Sequence, residues 1–376
     1  MNVLFVCHDH CLSGANLSLI DWVKNSDKKN NYIFLIPRHN RTFIDSVESF
    51  GAKVIVGNYF ISVKHLYKTD IKTKIKFFVK WLGSNTLNYI SLIMLSKKIR
   101  KLNVDVIHSN SFATYFGAQL AKFLSIPHVW HIREFMEEDH QITHYNKRRI
   151  NKLVNYSHAI FISPVIESYY EDFAFKSKTV IYDKISYDKN YKHDKLNFKD
   201  GYCNILMVGT IAENKGQLDA IKAIELVQKK GYHVRLYLCG VGNYLEICQK
   251  YVSENNIKNI NFLGYRTDVI EIRKSMDMAL VCSKREALGR VTVEAMYYEN
   301  LVVGSDTGCT PLIINDKETG LLYRNSSIED LADKIIYSID NYQEMKCVIK
   351  NAKKFAIMNF SNEIDSKIFE LYDKIS

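Results

Sequence analysis

At 376 residues the chain exceeds the size at which a single hydrophobic core keeps growing, and its 47% hydrophobic content can supply two cores, so two domains are expected. No run reaches about 18 uninterrupted apolar residues, and the start lacks a charged segment followed by a long apolar one, which argues against a membrane span or a secretory leader. The formal charge of +10 belongs to the first half, with 26 Lys/Arg against 16 Asp/Glu through residue 190, so an acidic partner is expected to meet that half.

The chain opens MNVLFVCHDHCLSGAN. Val3 to Val6 reads as a buried parallel strand, and Ser13-Gly14-Ala15-Asn16 leads into the helical pattern Leu17, Ile20, Trp22, Val23. Between them, Cys7, His8, His10 and Cys11 are too close in sequence to surround one tetrahedral ion, and neither CxxC nor HExxH occurs elsewhere, so no metal is expected. The segment reads instead as a strand-to-helix loop at the carboxyl edge of a parallel sheet, where Ser13, Gly14, Ala15 and Asn16 form a candidate acceptor or phosphate loop. Further strands follow at YIFLIP and AKVIVG. Next comes a basic stretch in which Lys64, Lys68, Lys72, Lys76 and Lys80 recur every four residues, with Tyr67, Ile71, Ile75, Phe78, Val79 and Leu82 as an apolar face. This predicts an amphipathic helix suited to lie on an anionic membrane surface, the alternative being an ordinary helix with solvated lysines.

Strands then continue at VDVIHSN, PHVWHIRE, HAIFISP and TVIYD, and in the second half at NILMVG, VRLYLCG, INFLG, MALVCS and LVVGS. Strands alternating with helical stretches indicate an α/β architecture of doubly wound parallel sheets. The expected division is a Rossmann-like domain over 1–184, a polar linker over 185–201, a second Rossmann-like domain over 202–354, and a final helix over 355–376 that crosses back to the first domain. The eight cysteines form no framework of spacings, which fits a reducing, cytoplasmic setting.

The densest chemistry lies in ILMVGTIAENKGQLDAI, NFLGYRTDV and SKREALGRVTVEAM. A strand ends at Gly209, a loop containing Thr210 follows, and Lys215-Gly216 opens a helix; later, Glu286 precedes a helix begun at Gly289 that carries Glu294. A small-residue loop at a helix N-terminus is an anion site, because free backbone N–H groups and the helix dipole both favour negative charge. Glu286 and Glu294 form an E-x7-E motif. With the VG-loop-KG segment at 208–216, FLG-Y-R at 262–266 and TG-x-T-P at 307–311, it resembles the retaining glycosyltransferases of family 4, over residues 203–325 and more loosely before.

The resemblance implies a GT-B type fold, two Rossmann-like domains facing a cleft, and transfer from a nucleotide-diphosphate sugar, by default a UDP-sugar. It implies that Lys215 binds the donor diphosphate with Gly289 and Arg290, beside Gly209 and Thr210, that Glu294 takes the ribose hydroxyls, and that Glu286 holds the transferred sugar. Tyr265 and Arg266 would lie near the base, and His131, at the end of a strand, would contact the sugar from the other domain. Three positions depart from the family pattern: Thr210 replaces an arginine, Leu312 a glutamate, and Asp183-Lys184 an Asn-Gly pair. The family needs no metal or other cofactor, no DxD motif is present, and the departing diphosphate requires charge stabilisation rather than a protein nucleophile. The expected partners are the nucleotide-sugar donor, a lipid-linked glycan acceptor of a surface polysaccharide and the anionic inner face of the cell membrane, with no nucleic acid; oligomeric state is left open. Two alternatives stand beside this one. A nucleotide-sugar epimerase of the same architecture would draw its acid and base from Glu134, Glu137 and Glu138. A non-catalytic partner of another transferase is disfavoured by the presence of Lys215, Glu286 and Glu294.

Overall fold

The computed structural model describes residues 1–376 apart from 27–29, 62, 67–69, 186–190, 192–197, 199–200 and 361–363. The chain divides into two compact units, one of Met1–Lys184 with Glu363–Ser376 and one of Ile185–Asn362.

The first unit is built on a seven-stranded parallel sheet. Its strands are β1 (Asn2–Cys7), β2 (Asn31–Ile36), β3 (Lys53–Val56), β5 (Val106–Asn110), β6 (His128–Ile132), β8 (His158–Phe161) and β9 (Lys178–Val180), in the order β3-β2-β1-β5-β6-β8-β9. Covered on both faces, these strands need apolar residues throughout rather than in alternation, and Val3, Leu4, Phe5 and Val6 are fully buried. The second unit carries a six-stranded parallel sheet of β10 (Cys203–Val208), β11 (Val234–Cys239), β12 (Ile260–Gly264), β13 (Met278–Val281), β14 (Leu301–Ser305) and β15 (Leu321–Tyr323), in the order β12-β11-β10-β13-β14-β15. Both sheets are doubly wound as expected. β15, only three residues long, gives too short a signal to be read from sequence.

Three features of the structure bear on these expectations. Lys64 is not helical: it lies in β4 (Val63–His65), which pairs antiparallel with β7 (Ile142–His144), Lys64 opposite Thr143. Lys68 and Tyr67 lie outside the described residues. The helix begins only at Ile71, behind Asp70 in an extended conformation, and runs to Arg100, placing Lys72, Lys76 and Lys80 on it. The four-residue lysine repeat reads straight through this start, because pairing with a strand some eighty residues away leaves no local trace. Second, the helix packs on the sheet through Leu92, Leu95 and Ile99, while Ile71 and Val79 are 74% and 62% exposed and Ile75, Phe78 and Leu82 also face outward. Third, the end of the chain forms two helices. Tyr342–Phe360 belongs to the second unit, and Ile364–Ile375 to the first, where Ile368, Leu371 and Tyr372 enter the core and the Tyr372 hydroxyl shares a 2.6 Å hydrogen bond with His108 Nδ1. Within the expected linker, Ile185 N–H donates to the Phe360 carbonyl at 3.0 Å and the Phe198 ring meets Tyr342, so both are anchored on the second unit.

Candidate functional site

In a doubly wound sheet, ligands bind at the carboxyl ends of the strands where the order reverses. In the second unit that point lies between β10 and β13, which sets the loops following them side by side. After β10 the chain passes Gly209, Thr210 and a single 3-10 turn, Glu213–Lys215, before the helix Gln217–Lys229. Gly216 joins turn to helix with φ +73°, and a Cβ there would sit 2.3 Å from the Cys282 carbonyl oxygen. Gly308, φ +60°, brings the loop after β14 against Glu286 just as closely, with a Cβ 2.5 Å from the Glu286 nitrogen. Gly216→Ala combines left-handed strain with a backbone clash and is expected to destabilise the second unit by about 2–4 kcal/mol. Differential scanning calorimetry reads this directly, and an unchanged transition would show that the loop has room to relax.

These close approaches assemble a polar junction. Lys215 Nζ donates to Glu286 Oε1 at 2.8 Å, the Ser283 hydroxyl donates to the same oxygen, and Lys284 N–H donates to the Asn214 carbonyl at 2.8 Å. Lys215 is 28% and Glu286 13% exposed, so the pair stands at the rim rather than in the core. Gly289, φ +80°, caps the helix Arg290–Tyr297. On that helix Glu294 accepts from Arg273 at 3.1 Å through Oε2, and its Oε1 lies 3.8 Å from Arg290 Nε. Arg273 is buried, on the short helix Val269–Lys274. Tyr265 and Arg266 follow β12, two strands from β10; Tyr265 is 75% exposed and Arg266 forks onto Asp268 at 2.7 and 2.5 Å. The structure thus gathers Lys215, Glu286, Gly289, Arg290 and Glu294 along two neighbouring loops and one helix, and leaves Tyr265 and Arg266 on the outer strand. Ser283 and Arg273 escaped sequence reading: a serine two residues past a strand and an arginine in a short helix carry no pattern of their own.

The first unit has its reversal between β1 and β5, and a second polar cluster sits there. Asn110, ending β5, donates to the Ala15 carbonyl at 3.0 Å and to Asn16 Oδ1 at 3.1 Å, while Asn16 donates to Asp9 Oδ1 at 2.7 Å and to the Cys11 carbonyl at 2.9 Å. Fully buried, Asn16 is engaged in holding the loop, whereas Gly14 has open space around it. His8 and Asp9 face each other at 3.0 Å, and this contact is what raises the His8 pKa against the opposing pull of burial. Cys7 points into the core, where burial pushes its thiol far up. Among the described residues no group of three or more His, Cys, Asp or Glu is arranged to hold a metal ion.

His131 lies at the end of β6 and is buried. Arg133 donates to Asn110 Oδ1 at 2.8 Å and to Asp183, and its remaining nitrogen lies 3.1 Å from His131 Nδ1. A guanidinium can only donate, so Nδ1 accepts and the ring proton resides on Nε2. Burial, then the charge of Arg133, hold the His131 pKa well below its usual value, which makes the ring a neutral donor. Arg133 and Asp183 stand fifty residues apart and announce no pairing in the sequence. Glu134 is fully engaged, accepting from the Ser111 hydroxyl at 2.5 Å and from the N–H groups of Phe112 at 2.8 Å and Arg133 at 3.1 Å, while Glu137 and Glu138 are exposed.

Residues 188–355 match the family profile of Glycosyl transferases group 1. The uncharacterized glycosyltransferase MJ1178 of Methanocaldococcus jannaschii is 26% identical over 302 residues, covering 77% of this chain and 81% of that protein. The N,N'-diacetylbacillosaminyl-diphospho-undecaprenol alpha-1,3-N-acetylgalactosaminyltransferase of Campylobacter jejuni is 22% identical, covering 75% of this chain and 80% of its own. Among solved structures, Anabaena Alr3699/HepE in complex with UDP superposes over 100% of both chains with a TM-score of 0.79 at 20% identity, a likeness of fold. The second unit is thus similar in sequence to the group 1 glycosyl transferases, the chain has glycosyltransferases among its relatives, and its fold is of the GT-B type.

Proposed function

We propose that this protein is a retaining glycosyltransferase of the family 4 type that moves a sugar from a UDP-sugar to a lipid-linked or polysaccharide acceptor in cell-surface glycan synthesis, at the inner face of the membrane and without a metal. The observation that carries this reading is the junction of Lys215, Glu286 and Ser283 at the carboxyl ends of β10 and β13, flanked by two glycine-capped helix starts. Breaking a sugar–phosphate bond builds negative charge on the departing diphosphate. Lys215, Arg290 and the N–H groups at those helix starts supply fixed positive potential for it, the role a metal fills in other transferases. Glu286 neutralises Lys215 across 2.8 Å. A diphosphate that takes over Lys215 frees the Glu286 carboxylate for a sugar hydroxyl, and Glu294, steadied by Arg273, offers an acceptor to the ribose. His131 of the first unit is neutral and carries its proton on Nε2.

The UDP of the HepE complex and the undecaprenol-linked substrate in the name of the Campylobacter relative support the donor and acceptor classes. For the membrane, the support is the outward apolar stripe of Ile71–Arg100 and its Lys72, Lys76 and Lys80; no helix among the described residues is long and apolar enough to cross a bilayer. Changing those three lysines to glutamine is expected to weaken binding to anionic vesicles at least tenfold, given about 1 kcal/mol per lysine near the surface, and salt should mimic the change. Equal sedimentation of variant and wild type would remove the membrane assignment.

The deciding experiment is a thermal-shift panel of UDP, GDP, dTDP and ADP, followed by incubation with the matching nucleotide sugars in EDTA. A nucleotide at 100 times its dissociation constant should stabilise the protein by about 2.7 kcal/mol. Nucleotide release undiminished by EDTA is expected; loss of activity restored by Mg²⁺ would overturn the metal-free clamp. Interconversion of sugars at an intact diphosphate would indicate an epimerase instead, a reading that the three hydrogen bonds on Glu134 disfavour.

A further inference from the structure

On the first unit, the helices Ile71–Arg100, Phe116–Leu124 and Lys147–Val154 enclose a groove of about 270 Å³. Its apolar wall is Tyr89, Leu92, Phe123 and Leu153, and its polar end is Lys122, Arg149 and Gln119. The three helices contribute seven, one and four basic residues respectively and not one Asp or Glu. Among the described residues none of those cations lies within ion-pairing distance of a carboxylate.

Arg149 shows how this charge is kept. Its guanidinium donates to Asn85 Oδ1 at 3.2 Å, lies over the Tyr115 ring at 5.1 Å, and meets the Gln119 amide oxygen when that amide is turned toward it. The Tyr115 hydroxyl donates to the same Asn85 oxygen at 2.7 Å. Every one of these partners is neutral. They fix the plane of the guanidinium without cancelling its charge, and N–H groups remain for an anion. Tyr89 and Phe123, 61% and 46% exposed, extend the apolar wall to the surface.

We infer that this groove holds one anionic lipid molecule, its phosphate on Arg149 and Lys122 and the first part of one hydrocarbon chain along Tyr89, Leu92, Phe123 and Leu153. A sugar polymer or nucleic acid would use the cations and leave the apolar wall idle, and a neutral lipid would leave the fixed cation unanswered. Just below the range of about 300–1,000 Å³ typical of small-molecule pockets, the volume suits a chain segment rather than a whole lipid. The inference deepens the membrane reading above but stands on a different surface, since Lys72, Lys76 and Lys80 precede the groove on the long helix.

The test uses the full chain and two probes. One is a short-chain phosphatidylglycerol below its micelle concentration, which reports the groove alone; the other is vesicles of phosphatidylcholine with and without phosphatidylglycerol. Wild type should bind the monomeric lipid, and the corresponding phosphatidylcholine and glycerol phosphate at least tenfold more weakly. Lys122→Glu and Phe123→Ser, both at exposed positions that leave folding intact, should each weaken monomer binding at least fivefold, and Arg149→Gln at least tenfold, whereas the triple lysine variant should keep it. Failure to bind vesicles with monomer binding intact would sink only the membrane reading. Monomeric phosphatidylglycerol bound no better than glycerol phosphate, or unaffected by Phe123→Ser, would overturn the groove assignment in favour of a plain phosphate site. Self-association lost with Phe123→Ser, without lipid binding, would overturn it in favour of contact between copies of the chain.

Discussion

Lys215→Ala is expected to lower sugar transfer by about a hundred-fold to a thousand-fold, the usual consequence of removing one preorganised group from a site of developing charge. Lys215 is the side-chain cation on the loop after β10, because Thr210 occupies the position where an arginine is expected, and Arg290 is drawn toward Glu294 at 3.8 Å. Its ammonium also meets Glu286 at 2.8 Å, so the substitution leaves that carboxylate held by Ser283 alone, repelling an incoming diphosphate. Both effects act on charge, so UDP affinity should fall along with turnover, while affinity for uridine lacking phosphates should not change. Lys215→Arg should restore part of the loss. A variant with wild-type UDP affinity and turnover would remove the junction from the donor site, whatever the activity of the protein proves to be.

Acidification from pH 7 to about 5.5 is expected to lower the stability of the first unit far more than that of the second. Burial holds His108 and His131 well below the ordinary histidine value, His128 down at about 3 and His144 at about 4. In the unfolded chain each titrates near 6.5. Below that pH the unfolded state binds protons that the folded state refuses, so stability present above about 6.5 is lost as the pH falls toward the folded values. At pH 5.5 His128 and His144 together cost on the order of 2–3 kcal/mol, and His108 and His131 act in the same direction, against a domain stability of about 5–15 kcal/mol. His8, with its pKa raised beside Asp9, acts in the opposite sense and offsets part of one such contribution. Trp22, Trp81 and Trp130 all lie in the first unit and the chain has no other tryptophan, so indole fluorescence reads this unit alone. A urea midpoint read by this fluorescence that is unchanged from pH 7 to 5.5 would show that the folded unit takes up the same protons as the unfolded chain.

Much of this protein was legible in its sequence. Seven strands of the first sheet and five of the second announced themselves because a parallel sheet covered on both faces needs unbroken apolar runs, and runs such as NVLFV and NILMVG are local properties. Lys215, Gly216, Glu286, Gly289 and Glu294 were visible for a similar reason: a loop that opens a helix at a strand end is written in consecutive residues. Tertiary structure alone decided the rest. Lys64 became a strand residue because β4 found β7, and β15 exists because β14 offers it an edge. Arg133 reaches across β5 and β6 to Asn110, His131 and Asp183, setting the tautomer of a histidine whose position the sequence had marked but whose proton it could not place. The apolar stripe at Ile71, Ile75 and Val79 was legible as the face of an amphipathic helix suited to a membrane surface, but only packing, with Leu92, Leu95 and Ile99 turned inward, decided that the stripe is left exposed. Period and spacing record what a residue contributes to its own helix or strand. Which face is covered, and which distant charge stands opposite, depends on contacts between segments far apart in the chain, and those exist only once it has folded.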